Sequence, residues 1–143
     1  MMERWLIYAF LSAICAAFVS IFGKIGLSNI DSTAATAIRA AIMAVFLIGV
    51  AVVQGHISAV PSIMGHPKAL LCIALSGIAG ATSWLFYLFA LKTGNVSQVA
   101  PIDKLSVVFS VILAIILFGE HVTLIHSIAI ALIVIGGIMM AAF

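Results

Sequence analysis

Four charged side chains in this sequence fall inside stretches that are predicted to cross a lipid bilayer. They are Lys24, Arg39, Asp103 and Lys104. Charge is rare elsewhere, since only 7% of the 143 residues are charged and 66% are hydrophobic. A charge at depth in lipid costs on the order of 2.5 to 3.5 kcal/mol, so such residues usually face a protein interior or a water-filled cavity. Three basic groups and one carboxylate favour binding of an anionic or zwitterionic small molecule.

Two aromatic residues and a proline could complete such a site. Trp84 and Tyr87 lie one helical turn apart, where their rings could stack on a ligand or pack against other helices. Pro101 would break a helix and free the carbonyl of Ser97, unless it lies in the first turn of a shorter helix. The candidate site residues are Lys24, Arg39, Trp84, Tyr87, Pro101, Asp103 and Lys104.

No residue pattern indicates catalysis or a bound cofactor. The sequence lacks a nucleophile and base pair, a metal-ligand cluster and a phosphate-binding loop. His121 and His126 are five residues apart, a spacing that does not place both on one helical face. The formal net charge of +2 is too small for a nucleic-acid surface. We therefore expect no enzyme activity, no metal, no cofactor and no nucleic-acid partner.

Five apolar stretches position the candidate residues and predict an all-α membrane protein with five transmembrane helices. A soluble domain would carry roughly 25% charged residues. Glycine, proline and polar residues separate the stretches and make residues 55–68 a loop. The predicted helices cover approximately residues 5–27, 33–53, 69–91, 96–119 and 122–143 of one domain spanning residues 1–143. Within them, Gly77, Gly80, Gly136 and Gly137 are expected to allow close helix packing.

The length of the fourth helix places two charges inside the membrane. Its uncharged run, residues 105–119, is about 22 Å long and cannot cross a hydrocarbon core of roughly 30 Å. The helix must therefore begin near Asn95, which forms a predicted capping box with Gln98. Asp103 and Lys104 are then intramembrane. Because adjacent helical positions point about 100° apart, these two side chains are not expected to meet at one spot.

The same length test applies to the second helix. Its uncharged run, residues 40–55, is too short, so the helix must extend back through Arg39. The first helix is long enough to span the membrane without Lys24, so the Lys24 side chain could extend toward the interface. All four charges then lie near one membrane face, in a layer roughly 5 to 12 Å deep. In a purely structural alternative, Arg39 and Asp103 form an ion pair between two helices, while Lys24 and Lys104 reach the interface.

Several short segments carry a family resemblance over the whole chain. They are Lys24-Ile25-Gly26 followed by Asp31 and Arg39, the run from Trp84 through Tyr87 to Lys92 and Gly94, Val99-Ala100-Pro101-Ile102-Asp103-Lys104, and Phe118-Gly119-Glu120. With the five-span layout, they resemble the EamA domain of the drug/metabolite transporter superfamily. Most members of that family look like two five-helix units in an inverted repeat. The resemblance implies that one unit, half of such a ten-helix fold, pairs antiparallel with a second copy.

The charge count is compatible with insertion in both orientations. If the deep basic residues Arg39 and Lys104 are left out, Arg4 and Lys68 lie on the amino-terminal side, and Lys24 and Lys92 lie on the opposite side. Two charges against two give the positive-inside rule no preferred orientation.

The resemblance implies a small-metabolite exporter of the cell (inner) membrane that works by alternating access as an antiparallel homodimer. Its expected partners are the lipid bilayer, a second copy and an anionic or zwitterionic substrate. Related small multidrug exporters use a carboxylate in their first helix, which this chain lacks, so Asp103 is the expected proton-coupling group. The alternative is a non-transporting assembly or stability protein whose buried charges only specify helix pairing.

Overall fold

A computed structural model describes residues 4–27 and 30–142, which form helices and short connections without any strand. Five stretches in this part are long and apolar enough to span a membrane, with α5 and α6 together forming one of them. This confirms the predicted five-helix, all-α class. The predicted end of the last helix at Phe143 lies outside the described residues. The helices are α1 Arg4–Gly26, α2 Ser32–Val53, α3 Val60–Met64, α4 Pro67–Thr93, α5 Val96–Asp103, α6 Ser106–Phe118 and α7 Leu124–Ala142.

The described residues group into two compact units. Unit 1 combines the chain up to Lys24 with the chain from Thr93 onward, and unit 2 comprises Ile25–Lys92. Unit 1 therefore holds most of α1 together with α5, α6 and α7. Unit 2 holds α2, α3 and nearly all of α4.

Helix α2 begins at an acidic cap and is long enough to cross a bilayer. The Asp31 Oδ1 atom accepts a hydrogen bond from the Ala34 N–H at 2.9 Å. The 22 residues of α2 rise about 33 Å, slightly more than a hydrocarbon core of about 30 Å. The helix ends before Gly55, whose φ of 72° lies in the left-handed region that favours glycine. A spanning α2 thus carries Arg39 about 10 Å along its axis from Ser32.

The connection at residues 55–68 is more ordered than the predicted loop. It contains a 3-10 turn, His56–Ala59, and the short helix α3. The Ser62 hydroxyl donates to the Ala59 carbonyl at 2.7 Å. The many polar and turn-forming residues concealed these short helical turns, because each is too brief to show a helical period.

The fourth span is interrupted between α5 and α6. Pro101 lies inside α5 and leaves the Ser97 carbonyl without its usual helical donor. At the junction, the Leu105 N–H donates to the Ile102 carbonyl at 3.0 Å, the shorter i to i−3 bond of a tight turn. The fourth span is therefore interrupted, as predicted, but at Lys104 and Leu105 rather than at the proline. Pro101 is the sixth residue of α5, so the first-turn alternative is wrong.

The start of α5 agrees only partly with the predicted capping box. Asn95 is the N-cap residue with an extended backbone, but its side chain makes no capping hydrogen bond. Instead, its carbonyl accepts from the Gln98 N–H at 3.0 Å. The predicted position is confirmed, and the predicted side-chain bond is wrong.

Unit 1 is held together mainly where α5 meets α7 at a glycine. A Cβ atom added to Gly137 would lie 3.3 Å from the Pro101 carbonyl oxygen and 3.5 Å from Leu105 Cδ2. Gly137 therefore allows α7 to approach the interrupted span closely, as predicted. The other glycines expected to pack have open space around such a Cβ within the described part of the chain: Gly77, Gly80 and Gly136.

We expect Gly137→Leu to lower the thermal unfolding midpoint of the purified protein strongly, because the new side chain would collide with the backbone at Pro101. Overpacking of this kind typically costs about 1 to 3 kcal/mol. Gly136→Leu is the matched control, since no atom lies within 4 Å of its added Cβ. Equal destabilisation by the two variants would contradict the close approach at Gly137.

Candidate functional site

An arginine stacked on a tryptophan forms the centre of the candidate site in unit 2. The Arg39 Cζ atom lies 3.5 Å from the centroid of the Trp84 ring. This is the contact distance of two stacked planes, so the guanidinium covers the indole face. Both residues are partly exposed. The structure thus brings together two candidate residues that are 45 positions apart in the sequence.

Helix register explains why these two side chains meet. The Lys92 Nζ atom donates to the Ile30 carbonyl at 3.2 Å and so ties the end of α4 to the turn before α2. Arg39 lies about 10 Å beyond the start of α2 at Ser32, and Trp84 lies about 12 Å before Lys92. Arg39 and Trp84 therefore lie at similar distances along their helices from the hydrogen bond between Lys92 and Ile30.

Tyr87 supports the indole from the side. Its ring meets the Trp84 ring edge to face, with centroids 5.4 Å apart and an interplanar angle of 85°. This T-shaped geometry is a favoured arrangement of aromatic pairs. Tyr87 itself is only 9% exposed, whereas Trp84 and Arg39 retain accessible surface. The tyrosine therefore belongs to the packed base of the cluster.

Unit 2 contains no free carboxylate to neutralise Arg39. Its one acidic residue in the sequence is Asp31, and that carboxylate caps α2 through Ala34. Within residues 25–27 and 30–92, the guanidinium makes no hydrogen bond or ion pair, and it forms a cation–π contact with the Trp84 ring. A desolvated cation held in this way favours an incoming anion.

In unit 1, Asp103 and Lys104 form an ion pair at the break in the fourth span. Lys104 Nζ lies 3.3 Å from Asp103 Oδ2, and their side chains are 59% and 35% exposed respectively. The expectation that these neighbours would not meet was wrong. Lys104 lies just beyond the end of α5, outside regular helix, and its long side chain bends back to the carboxylate.

Lys24 also has a structural partner in unit 1. Its Nζ atom donates to the Gly94 carbonyl at 2.7 Å, across the connection between α4 and α5. Helix ends leave carbonyl groups without intrahelical partners, and a lysine satisfies one of them here. Sequence reasoning missed this contact, because a backbone carbonyl carries no residue-specific signal.

A groove lies at the start of α5 in unit 1. Its volume is about 570 Å³, and it is lined by Asn95, Ser97, Gln98, Met139 and Met140. The proline-freed carbonyl belongs to Ser97, one of these lining residues. The sequence predicts Asn95 and Gln98 as helix-start residues and a freed carbonyl at Ser97, but it gives no signal for the two methionines.

The five helices of membrane-spanning length define a multi-pass membrane protein. Within it, Arg39 of α2 lies on the ring face of Trp84 of α4. No carboxylate of the same unit pairs with that cation in the described residues.

Comparison with known proteins gives the family. The model of the EamA-like transporter family matches residues 3–142, and the chain belongs to that family. A relative from Sinorhizobium sp., described as "Uncharacterized transporter in cobO 3'region", is 36% identical over 143 residues, which cover 100% of each chain. No solved structure matches the chain. The family and the relative indicate a transporter rather than an enzyme, in agreement with the resemblance noted in the sequence.

Proposed function

We propose that this protein is a small-metabolite exporter that binds anionic or zwitterionic substrates at Arg39. The observation that carries the proposal is the Arg39 guanidinium, which lies on Trp84 in a membrane-spanning helix without a carboxylate partner in its own unit. A fixed cation in a bilayer requires a counter-ion or a water-filled path, and a substrate carboxylate supplies the first.

The other charged residues define the second half of the proposed path. Asp103 and Lys104 lie at the interruption of the fourth span, and such breaks line substrate cavities in many transporters. Asp103 is the proposed proton-coupling group, because protonation would release Lys104 from its ion pair. Lys24 and Pro101 shape this region through the Gly94 contact and the break in the helix.

Residues 1–143 form one domain in this proposal, half of a ten-helix inverted-repeat fold, and a second copy in the opposite orientation completes the transporter. The apolar parts of the five spans are almost entirely exposed in the single chain. Gly77 and Gly80 present open backbone surface for helix contacts. Alternating access across the pair, in the cell (inner) membrane, would carry the substrate.

One set of contacts favours the non-transporting alternative. Lys24, Asp103 and Lys104 all have partners within unit 1, and the Lys24 bond to the Gly94 carbonyl links α1 to the connection before α5, as expected of charges with a structural role. Arg39 separates the two functions, because its stacking partner leaves its charge unneutralised within unit 2.

Release of solutes from loaded proteoliposomes tests the proposal. Purified protein would be reconstituted with a defined internal mixture of organic acids, amino acids, amines and polyols, and the external solution would be analysed by mass spectrometry. We expect selective release of carboxylate-bearing solutes. Selective release of amines would contradict the substrate class, and the absence of any protein-dependent release would favour the assembly alternative.

A further inference from the structure

The Arg39 and Trp84 stack has a consequence for substrate shape. A guanidinium has two flat faces, while its five N–H donors all lie in its plane and point outward from the edge. At 3.5 Å, the indole covers a face and not the edge. Within residues 25–27 and 30–92, these donors make no hydrogen bond or ion pair. Stacking therefore fixes the plane of the fork and leaves the fork itself available.

The aromatic pair limits how that plane can turn. Tyr87 meets Trp84 at 85°, so a rotation of the indole would break the edge-to-face contact with a ring that is 9% exposed. An arginine side chain without such support would sample many rotamers, and ordering it on binding would weaken affinity. The stack supplies this order in advance.

We propose that Trp84 is a positioning residue that makes Arg39 an edge-on, bidentate receptor, so that the substrate class is planar carboxylates rather than anions in general. This inference rests on the proposed function, in which Arg39 contacts the substrate. A carboxylate offers two coplanar oxygens that match two N–H groups of the fork. A spherical anion such as chloride meets the same charge but gains nothing from the fixed plane.

The sequence offers a direct reporter for this proposal. It contains two tryptophans, Trp5 and Trp84, so Trp5→Phe leaves Trp84 as the sole indole. In that background, sodium chloride would be replaced mole for mole by sodium acetate at constant ionic strength while Trp84 emission is recorded. We expect a saturable change in emission as acetate replaces chloride. Identical emission in the two salts would overturn the proposal.

Variants separate positioning from charge. Acetate binding to each would be followed by NMR line broadening of ¹³C-acetate, with circular dichroism and size-exclusion profiles to verify folding. We expect Arg39→Lys, which keeps the charge but loses the fork, to lose preference for acetate over chloride. Trp84→Leu should weaken acetate binding about tenfold. Trp84→Phe should weaken it less than Trp84→Leu does, because a ring face remains.

The outcomes distinguish this inference from the proposed function. Unchanged acetate binding in folded Trp84→Leu, together with its loss in Arg39→Gln, would overturn the positioning role and leave Arg39 as the substrate contact. Unchanged binding in Arg39→Gln would overturn both. If Trp84→Leu does not fold, Arg39→Lys decides. Equal acetate affinity and selectivity in Arg39→Lys and the parent protein would contradict the bidentate receptor.

Discussion

Replacement of Arg39 by glutamine should reduce the export of carboxylate-bearing solutes at least about a hundredfold while leaving the protein folded. Two charge-assisted hydrogen bonds, each contributing about 1.5 kcal/mol or more, would be lost with the guanidinium. Glutamine retains a polar amide of moderate length, and loss of the charge itself removes a cost of membrane insertion. Stability should therefore change little even though activity is lost.

Glu120→Gln is the control for this experiment. It also removes one charge, but from an exposed position in the connection between α6 and α7. Initial rates of solute release from proteoliposomes, normalised to the amount of folded protein, should match the parent protein in Glu120→Gln and fall only in Arg39→Gln. Full activity in Arg39→Gln would show that the stacked guanidinium has a structural role alone.

A reporter fused to the carboxyl terminus should be found on both sides of the membrane. The positive-inside rule acts on lysine and arginine near the ends of spans, and here Arg4 and Lys68 oppose Lys24 and Lys92. With five spans, each orientation places the two termini on opposite faces. A paired cytoplasmic and extracytoplasmic reporter, such as green fluorescent protein and alkaline phosphatase, should therefore both give signal.

Single charges should tip this balance in opposite directions. Lys68→Gln removes a basic residue from the amino-terminal side, and Gln54→Lys adds one to the same side, where both positions are exposed. We expect the reporter ratio to shift several-fold in opposite senses in these two variants, because the parent tally is even. A parent protein found in one orientation, unmoved by either variant, would exclude the antiparallel homodimer.

The five spans could be predicted from the sequence because long uncharged runs have few alternatives. The interruption of the fourth span was also predictable, since Pro101 cannot donate the bond that an unbroken helix needs. Its location at Lys104 and Leu105 was not, because the break falls several residues after the proline and depends on local turn geometry. The short turns within residues 55–68 lacked any periodic signal.

The partners of the charged residues were the least predictable feature. Lys24 and Lys92 bond to backbone carbonyls, which look alike in every sequence. The pairing of Asp103 with Lys104 depends on the end of a helix that residue spacing alone treats as continuous. The contact between Arg39 and Trp84 had a usable sequence signal, because the two residues lie at similar distances from the start of α2 and the end of α4. That signal can be interpreted only when the two helix ends are known to meet, as the bond from Lys92 to Ile30 shows.

A density map of the protein in a lipid nanodisc, enlarged by a bound antibody fragment, tests the central claim most directly. The claim is that helices α2 and α5 carry ionised groups below the phosphate layer to build a site for an anionic solute. We expect the Arg39 guanidinium, still stacked on Trp84, and the Asp103 and Lys104 pair to lie on the hydrocarbon side of the phosphates. A map that places these groups in bulk water outside the headgroups would contradict the account.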